Sequence, residues 1–203
     1  MGSRAILKMG NIAPPILRHI ARADYQTKPW KNGKGTTHDI LILPEGSNHD
    51  SFDLRFALSP IVETAVFSSF PGADRVITVV EGEGLDLQFQ TQIEHLSQYQ
   101  SHYFDTGLDP IGTPLTGPVR VINVMARRGV WDIAECKMTS ALNLDCDRDN
   151  MLFVYCVGRG CSINVDGAQC EVGQSNAFLV SNASRTTISG DGMFLYAHLK
   201  PSA

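Results

Sequence analysis

The sequence has no excess of positive charge and no long apolar run. Its 17 lysines and arginines are outnumbered by 21 aspartates and glutamates, and its formal net charge is −4. A general nucleic-acid-binding role is disfavoured, because such proteins attract phosphates through a basic surface. No apolar stretch approaches the roughly 20 residues that cross a bilayer, and the start lacks the core and cleavage site of a signal peptide. We therefore predict a cytoplasmic protein without a nucleic-acid or membrane partner.

The sequence also lacks the spacings that commonly bind metal ions. Its six histidines include no His-x-His pair, and its five cysteines include no Cys-x-x-Cys pair. Zinc sites usually contain such close pairs, and secreted disulfide scaffolds usually have an even number of cysteines. We predict no metal and no cofactor. We also predict reduced thiols, several of them filling the core, at Cys136, Cys146, Cys156, Cys161 and Cys170.

The residues that are present favour an all-β protein. Short apolar or alternating segments are separated by turn residues at intervals of roughly 8–12 residues, the spacing of sandwiches and barrels. Residues 52–61 (FDLRFALSPI) alternate with a period of two, which places the aromatic side chains on one face and Arg55 on the other. Arg55 therefore faces either water or the lining of a cavity. No segment of about a dozen residues shows the 3.6-residue period of a helix.

The two halves of the chain share a plan without sharing sequence. The stretch RVITVVEGEGLDLQF in the first half and MLFVYCVGRGCSINV in the second each contain an apolar strand, a glycine turn and an alternating strand. We expect each to form a hairpin, and the repetition favours two stacked β-barrel lobes in one compact chain. The predicted division is a first barrel over residues 16–129 and a second over 130–203, preceded by a loose leader over 1–15.

Residues 29–40, PWKNGKGTTHDI, combine two lysines, an indole and an amide around two glycines. Glycine permits backbone angles that other residues avoid, and proline fixes its own φ. The grouping suits an anionic or planar polar ligand. The alternative is a surface turn with solvated lysines.

Three segments together resemble the HutD/Ves family. They are PWKNGKGTTHDI, then FSSFPGADRVITVVEGEGLDL (67–87), then GPVRVINVMARRG (117–129). The resemblance implies a small bicupin, often a homodimer, encoded with histidine-utilisation genes in many bacteria. It implies a regulatory or ligand-binding role with no established catalytic reaction. The implied ligand is a small anionic intermediate of histidine breakdown, with urocanate as the leading candidate.

The predicted ligand-binding residues lie in these segments or on the alternating strand that contains Arg55. Lys31 and Arg55 are the main candidates to bind a carboxylate, one as a mobile point charge and the other as a planar fork. Arg55 could instead pair with Asp53 or Asp39 on a solvated face. The full set is Trp30, Lys31, Asn32, Thr36, His38, Arg55, Arg75 and Asn123.

Each of the other candidates has a structural alternative. The Trp30 ring either stacks on a planar ligand or packs in the core. Asn32 and Thr36 either bind the ligand or stabilise a turn, and His38 either touches the ligand or is solvated at the start of a strand. Arg75 either reaches the cavity or decorates a turn. Asn123 is either a site residue or a buried structural bracket that needs partners.

These residues support one main hypothesis and two alternatives. The main hypothesis is a metal-free ligand-binding regulator that holds a small carboxylate. The first alternative is an enzyme, an isomerase or a hydrolase, in which the cations stabilise an enolate or an oxyanion. The second is a purely structural dimer module. The sequence offers no nucleophile and base at a convincing spacing.

Overall fold

The computed structural model describes residues 13–30 and 35–203. The described residues of the first half form eleven strands and two short 3₁₀ turns, Arg22–Asp24 and Thr106–Leu108. In chain order the strands are β1 (Ile16–Ile20), β2 (Gln26–Pro29), β3 (Thr36–Leu43), β4 (Leu54–Ile61), β5 (Ala65–Val66), β6 (Ala73–Glu81), β7 (Gly84–Gln88), β8 (Ile93–Ser97), β9 (Ser101–Asp105), β10 (Ile111–Pro114) and β11 (Val119–Arg127).

The second half contains six strands, two of them long. They are β12 (Trp131–Asp145), β13 (Met151–Cys156), β14 (Gly160–Val165), β15 (Ala168–Gly173), β16 (Ala177–Ser181) and β17 (Arg185–Pro201). The prediction of an all-β bicupin is confirmed. Within the described ranges no helix is long and apolar enough to cross a membrane.

The first barrel is formed by a six-stranded and a four-stranded sheet. The six-stranded sheet has the order β2-β3-β4-β11-β6-β9, and the four-stranded sheet has the order β5-β10-β7-β8. Apolar side chains cluster between them, including Ile77, Leu85 and Val121, each with an exposed fraction of 0%. This cluster fills only part of the barrel, and the rest of the interior contains buried polar side chains beside further apolar residues.

The second barrel is formed by a seven-stranded sheet with the order β1-β16-β13-β17-β14-β15, in which β12 also pairs with β17. Register shifts interrupt the β12–β17 ladder, one of them between Thr139 and Ala141. Such irregularities bend a strand and increase its twist, which helps a sheet to curl. The face of this sheet that points away from the interior of the second barrel packs on the six-stranded sheet. In this contact the rings of Phe56 and Phe153 stack with centroids 4.1 Å apart.

Strand β1 belongs to the second barrel although it comes first in the chain. Ile16 pairs with Ser181, and Ile20 pairs with Ala177. The sequence-based division placed residues 16–20 in the first barrel. The pairing partner lies far along the chain, and the alternation within β1 does not specify it.

The two glycine turns that were predicted to form hairpins do not do so. Each connects two strands that pair with other strands and not with each other, and we call such a turn a corner. Strand β6 pairs with β9 and β11, whereas β7 pairs with β8 and β10 in the other sheet. In the second half, β13 and β14 both pair with β17 and not with each other. At the first corner Gly82 has φ +98°, and a Cβ there would lie 2.7 Å from Val119. The close approach of β11 and the left-handed backbone together require glycine at this corner.

The alternation of β4 positions the polar interior of the first barrel. Leu54, Phe56 and Leu58 point into the core shared with the second barrel. Arg55 and Ser59 point the opposite way, and both are buried. Because successive side chains of a strand face opposite sides of the sheet, one strand serves the apolar core and the polar interior at once.

Candidate functional site

The polar interior of the first barrel opens to solvent as a pocket of about 500 Å³, including its mouth. Strand β4 contributes Arg55 and Ser59, β6 contributes Arg75, and β11 contributes Asn123 and Met125. Further side chains come from β3, from the loop that follows it, and from the segment between β5 and β6. We refer to this space as the pocket.

Arg75 has the most unusual environment in the pocket. Its side chain is buried, and one Nη2 hydrogen bond to the Ser68 carbonyl oxygen, at 2.9 Å, fixes its direction. The Nε atom is buried without a hydrogen-bond partner in the described part of the chain. No carboxylate there forms an ion pair with Arg75, although the charge of Asp109 acts on it. Loss of hydration, together with the positive charge of Arg55, lowers the pKa of Arg75 to about 9.

Aromatic rings surround the Arg75 guanidinium. Its central carbon lies 5.5 Å from the ring centroid of Phe67, 5.7 Å from that of Phe70 and 5.3 Å from that of Phe104. The faces of such rings attract cations. Gly112 on β10 makes room for this arrangement, since a Cβ there would lie 2.3 Å from the Phe67 ring. The rings hold the cation in place but supply no negative charge to balance it.

The second buried arginine is fully paired. Both Nε and Nη2 of Arg55 contact Oδ1 of Asp39, at 2.8 and 2.6 Å. The other carboxylate oxygen, Oδ2, accepts a hydrogen bond from Nε2 of His49 at 2.7 Å. Burial alone would raise the pKa of Asp39, but the hydrogen bond from His49 and the charge of Arg55 lower it below its usual value. Arg55 therefore has its counter-ion inside the protein, unlike Arg75.

A short chain of polar side chains continues from Arg55 across the sheet. Arg55 Nη2 lies 3.4 Å from Thr37 Oγ1, and Thr37 Oγ1 lies 3.0 Å from Ser59 Oγ. Asn123 Nδ2 donates to the same Ser59 oxygen at 3.4 Å. The remaining amide atom, Asn123 Oδ1, is buried and accepts no hydrogen bond from any described residue. Either orientation of this amide leaves one polar atom for a ligand, since only one of its ends meets Ser59.

Trp30 forms an apolar wall of the pocket and also packs against the apolar cluster of the first barrel. Its backbone N–H donates to the Gly35 carbonyl at 2.9 Å, which closes the loop between β2 and β3. A Cβ on Gly35 would lie 2.9 Å from the indole ring, so glycine lets the ring lie against the backbone. The pocket therefore combines a flat aromatic wall, an unbalanced cation and an unsatisfied amide. Such a space suits a small planar anion that has a further polar group.

The sequence profile of the HutD family matches residues 22–196. The chain belongs to the HutD family. Among curated proteins it is 39% identical over 71 residues to an uncharacterised 21.2 kDa protein in the hutC 3′ region of Pseudomonas putida. It is 32% identical over 101 residues to protein Ves of Citrobacter koseri. These alignments cover 35% and 49% of this chain, and 37% and 52% of those relatives.

Two solved structures share the fold of this HutD protein along its length. HutD from Pseudomonas fluorescens SBW25 superposes with a TM-score of 0.78 at 23% identity, covering 93% of this chain and 100% of that one. A conserved protein of unknown function from Pseudomonas aeruginosa PAO1 superposes with a TM-score of 0.82 at 21% identity, with the same coverage. At this level of identity the comparison establishes the fold alone.

The pocket brings together four of the eight predicted ligand residues. Trp30, Arg55, Arg75 and Asn123 line it. Thr36 is exposed and His38 is only half-buried, with its Nδ1 2.9 Å from Thr27 Oγ1 on β2. Neither lines the pocket, because they lie on the opposite face of β3 from Thr37 and Asp39. Lys31 and Asn32 lie outside the described residues.

Sequence reasoning missed several side chains of the pocket. On β3 the inward-facing residues are Thr37 and Asp39, which were not predicted, whereas Thr36 and His38 face the other side of the strand. His49 was overlooked because it lies in a polar turn after the strand. In the sequence FSSFPGADR, the phenylalanines Phe67 and Phe70 carried the family resemblance, but no periodicity marked them as pocket walls. Within the described ranges, no group of three potential metal-ligating side chains occurs.

Proposed function

We propose that this HutD protein binds a small carboxylate in the pocket of its first barrel and acts in the regulation of histidine utilisation. One observation carries the proposal, namely the buried guanidinium of Arg75 without a carboxylate partner among the described residues. An unpaired buried charge is unfavourable, and a ligand carboxylate would supply both the counter-ion and the acceptor for its free N–H groups. The association with histidine utilisation rests on the family and on the relative in the hutC 3′ region.

The remaining features of the pocket narrow the ligand to a flat acid with a polar far end. Trp30 and Phe67 offer apolar surfaces, and Asn123 offers an unsatisfied amide oxygen. Urocanate has a carboxylate for Arg75, a planar conjugated body for the aromatic walls and an imidazole N–H for Asn123. It therefore remains the leading candidate. The protein would respond to the level of a histidine-derived acid without transforming it.

Isothermal titration calorimetry with urocanate tests the proposal. The wild type is expected to bind, and Arg75→Met is expected to weaken binding at least about 30-fold, because truncating one partner of a buried charge pair costs about 2 kcal/mol or more. His38→Ala is the matched control, since His38 also belongs to the first barrel but does not line the pocket. Absence of binding to urocanate and to other small planar acids would refute the proposal, as would unchanged affinity in Arg75→Met.

An enzyme acting on a small acid is the second candidate function. It is favoured by the hydrogen bond between His49 and Asp39 at the pocket wall, since a carboxylate can orient a histidine as a general base. Incubation with urocanate followed by product analysis separates the two functions. Turnover that His49→Gln abolishes would establish the enzyme, whereas unchanged urocanate recovered after binding would favour the binding protein.

A further inference from the structure

His49 is the one imidazole that lines the pocket within the described ranges. Its Nε2 is held by Asp39 Oδ2 at 2.7 Å, and Asp39 is in turn fixed by Arg55. When the imidazole is neutral, the N–H at Nε2 donates to the carboxylate and Nδ1 carries the lone pair. Nδ1 forms no hydrogen bond to any other described residue. When His49 gains a proton, Nδ1 becomes a hydrogen-bond donor whose orientation is already set.

His49 and Arg75 lie around the same aromatic ring. The His49 ring packs edge-on against Phe70 with centroids 6.2 Å apart, and the Arg75 guanidinium carbon lies 5.7 Å from the Phe70 centroid. The His49 side chain is 24% exposed, whereas Arg75 is 2% exposed. His49 is therefore the more accessible of the two side chains, and it also lines the adjacent hollow, whereas Arg75 is deeply buried. A ligand with its carboxylate on Arg75 would extend towards His49.

The charges around His49 are nearly balanced before a ligand enters. Asp39 on β3 is matched by Arg55 on β4, and Arg127 on β11 lies 3.5 Å from Asp53. Asp50 follows His49 directly and lines the adjacent hollow with Arg127.

Among the described residues, Arg75 on β6 is the remaining cation in this neighbourhood. Protonation of His49 in the empty pocket would add a second positive charge beside it, whereas a bound anion would favour that protonation.

We propose that His49 is a second ligand contact that gains a proton as the acid binds and donates from Nδ1 to an acceptor at the far end of the ligand. This inference rests on the proposed function and deepens it. The preferred ligand is then a small carboxylate whose other end offers a lone pair or a second negative group. In urocanate the imidazole nitrogen without a proton supplies that acceptor, while the other nitrogen donates to Asn123.

The contact also gives selectivity against acids with an apolar far end. Cinnamate matches urocanate in its carboxylate and flat conjugated body but has a phenyl ring in place of the imidazole. A site that hydrogen-bonds a polar group discriminates strongly against an analogue that lacks it, because its own polar groups then remain unpaired. His49 therefore determines which planar acids the pocket retains, whereas Arg75 binds any of them.

Calorimetry in two buffers of different ionisation enthalpy, phosphate and Tris, measures the protons exchanged on binding. At neutral pH, wild-type protein is expected to take up a fraction of a proton with urocanate. His49→Gln should remove this uptake and weaken urocanate affinity about tenfold or more, the usual effect of losing a hydrogen bond to a charged group. Cinnamate should bind His49→Gln and the wild type with similar affinity, and its proton uptake should be clearly smaller than that of urocanate, because it brings a negative charge but no acceptor for Nδ1.

Three further outcomes separate the possible failures. Arg75→Lys should weaken binding of both acids but keep the proton uptake with urocanate, and His38→Gln should behave as the wild type. Binding of urocanate with the same heat in both buffers, or uptake that persists in His49→Gln, would overturn the role of His49 and leave the proposed function standing. Absence of heat with every acid would overturn the proposed function, and the role of His49 with it.

Discussion

The interiors of the two barrels differ although their strand layouts correspond. The second barrel is filled by its own side chains, among them Phe178, Phe194 and Tyr196, whose exposed fractions are 3%, 0% and 2%. The first barrel has an apolar cluster at one end and a pocket with two buried arginines and an asparagine at the other. Among the described residues, the first barrel contains two unsatisfied buried polar atoms, Arg75 Nε and Asn123 Oδ1, whereas the second contains one, the Thr186 hydroxyl.

This difference shows which barrel contains a polar pocket. The same architecture can be filled with phenylalanine and tyrosine or left open around a guanidinium, so the fold alone does not determine which barrel has the pocket. The inward positions of β4, β6 and β11 determine it, because polar residues there prevent the first barrel from closing on itself. The second barrel provides support through the packing of Phe56 on Phe153.

The largest difference should appear when an aromatic side chain is removed from each barrel. Phe194→Ala in the second barrel should lower the free energy of unfolding by about 3–5 kcal/mol, because a tightly packed core leaves a cavity. Phe67→Ala should lower it clearly less, since Phe67 is half-buried and already borders empty space. Urea unfolding of both variants measures this, and equal losses would contradict the view that only one barrel is filled.

The next effect concerns the ion pair in the first barrel. Asp39→Ala leaves Arg55 buried without a counter-ion, and the free energy of unfolding should fall by about 3–5 kcal/mol. Glu45→Ala is the matched control, because the Arg18–Glu45 pair has a similar distance of 2.7 Å but exposed side chains. The control should change stability by less than about 1 kcal/mol. If chemical denaturation gave similar values for the two variants, burial would not set the strength of the Asp39–Arg55 pair.

Arg75→Met should make the interior of the first barrel more apolar, as that of the second barrel is. Replacing a buried cation that lacks a counter-ion by an apolar side chain of similar length should leave the free energy of unfolding unchanged or raise it by about 1 kcal/mol. The same variant should lose ligand binding. A thermal melt combined with urocanate titration checks both effects, and a marked loss of stability would show that Arg75 has a structural role.

The smallest expected effect is a change in the free energy of unfolding as the pH is lowered. The folded-state pKa of Asp39 lies below its ordinary value, so the stability that it contributes is present above about pH 3.9. This contribution is lost as the pH falls through the folded value, with a slope no steeper than about 1.4 kcal/mol per pH unit for one proton. Unfolding measured across this range should show a shallower slope in an Asp39→Asn variant, and identical slopes would contradict the assignment.

The strand pattern was predictable from the sequence, and the pairing of distant strands was not. Turn residues and alternation gave an all-β chain with two barrels, which the structure confirms. The assignment of β1 and the corner at Gly82 depend on which ladder each strand joins. This choice is made by tertiary packing, because the local pattern of a strand is compatible with many partners.

The candidate site was predictable wherever alternation was unbroken. In β4 the aromatic positions fixed the phase, and Arg55 was placed correctly away from them. In β3 the stretch TTHD offers no apolar residue to fix the phase. Thr36 and His38 were predicted from their polar side chains and their place in the family-like segment, not from the face of the strand on which they lie. The unpaired state of Arg75 depends on the absence of a neighbouring carboxylate in three dimensions, which no local pattern reveals.

The pairing of β1 with β16 has a consequence for synthesis of the chain on the ribosome. Residues 16–20 are made well before their partners at 177–181, with a delay on the order of ten seconds at about 5–20 residues per second. During that delay Ile16 and its neighbours have no β16 edge to join. The second barrel can be completed only when residues 177–181 have emerged, and a gene split between the two halves would separate β1 from its sheet.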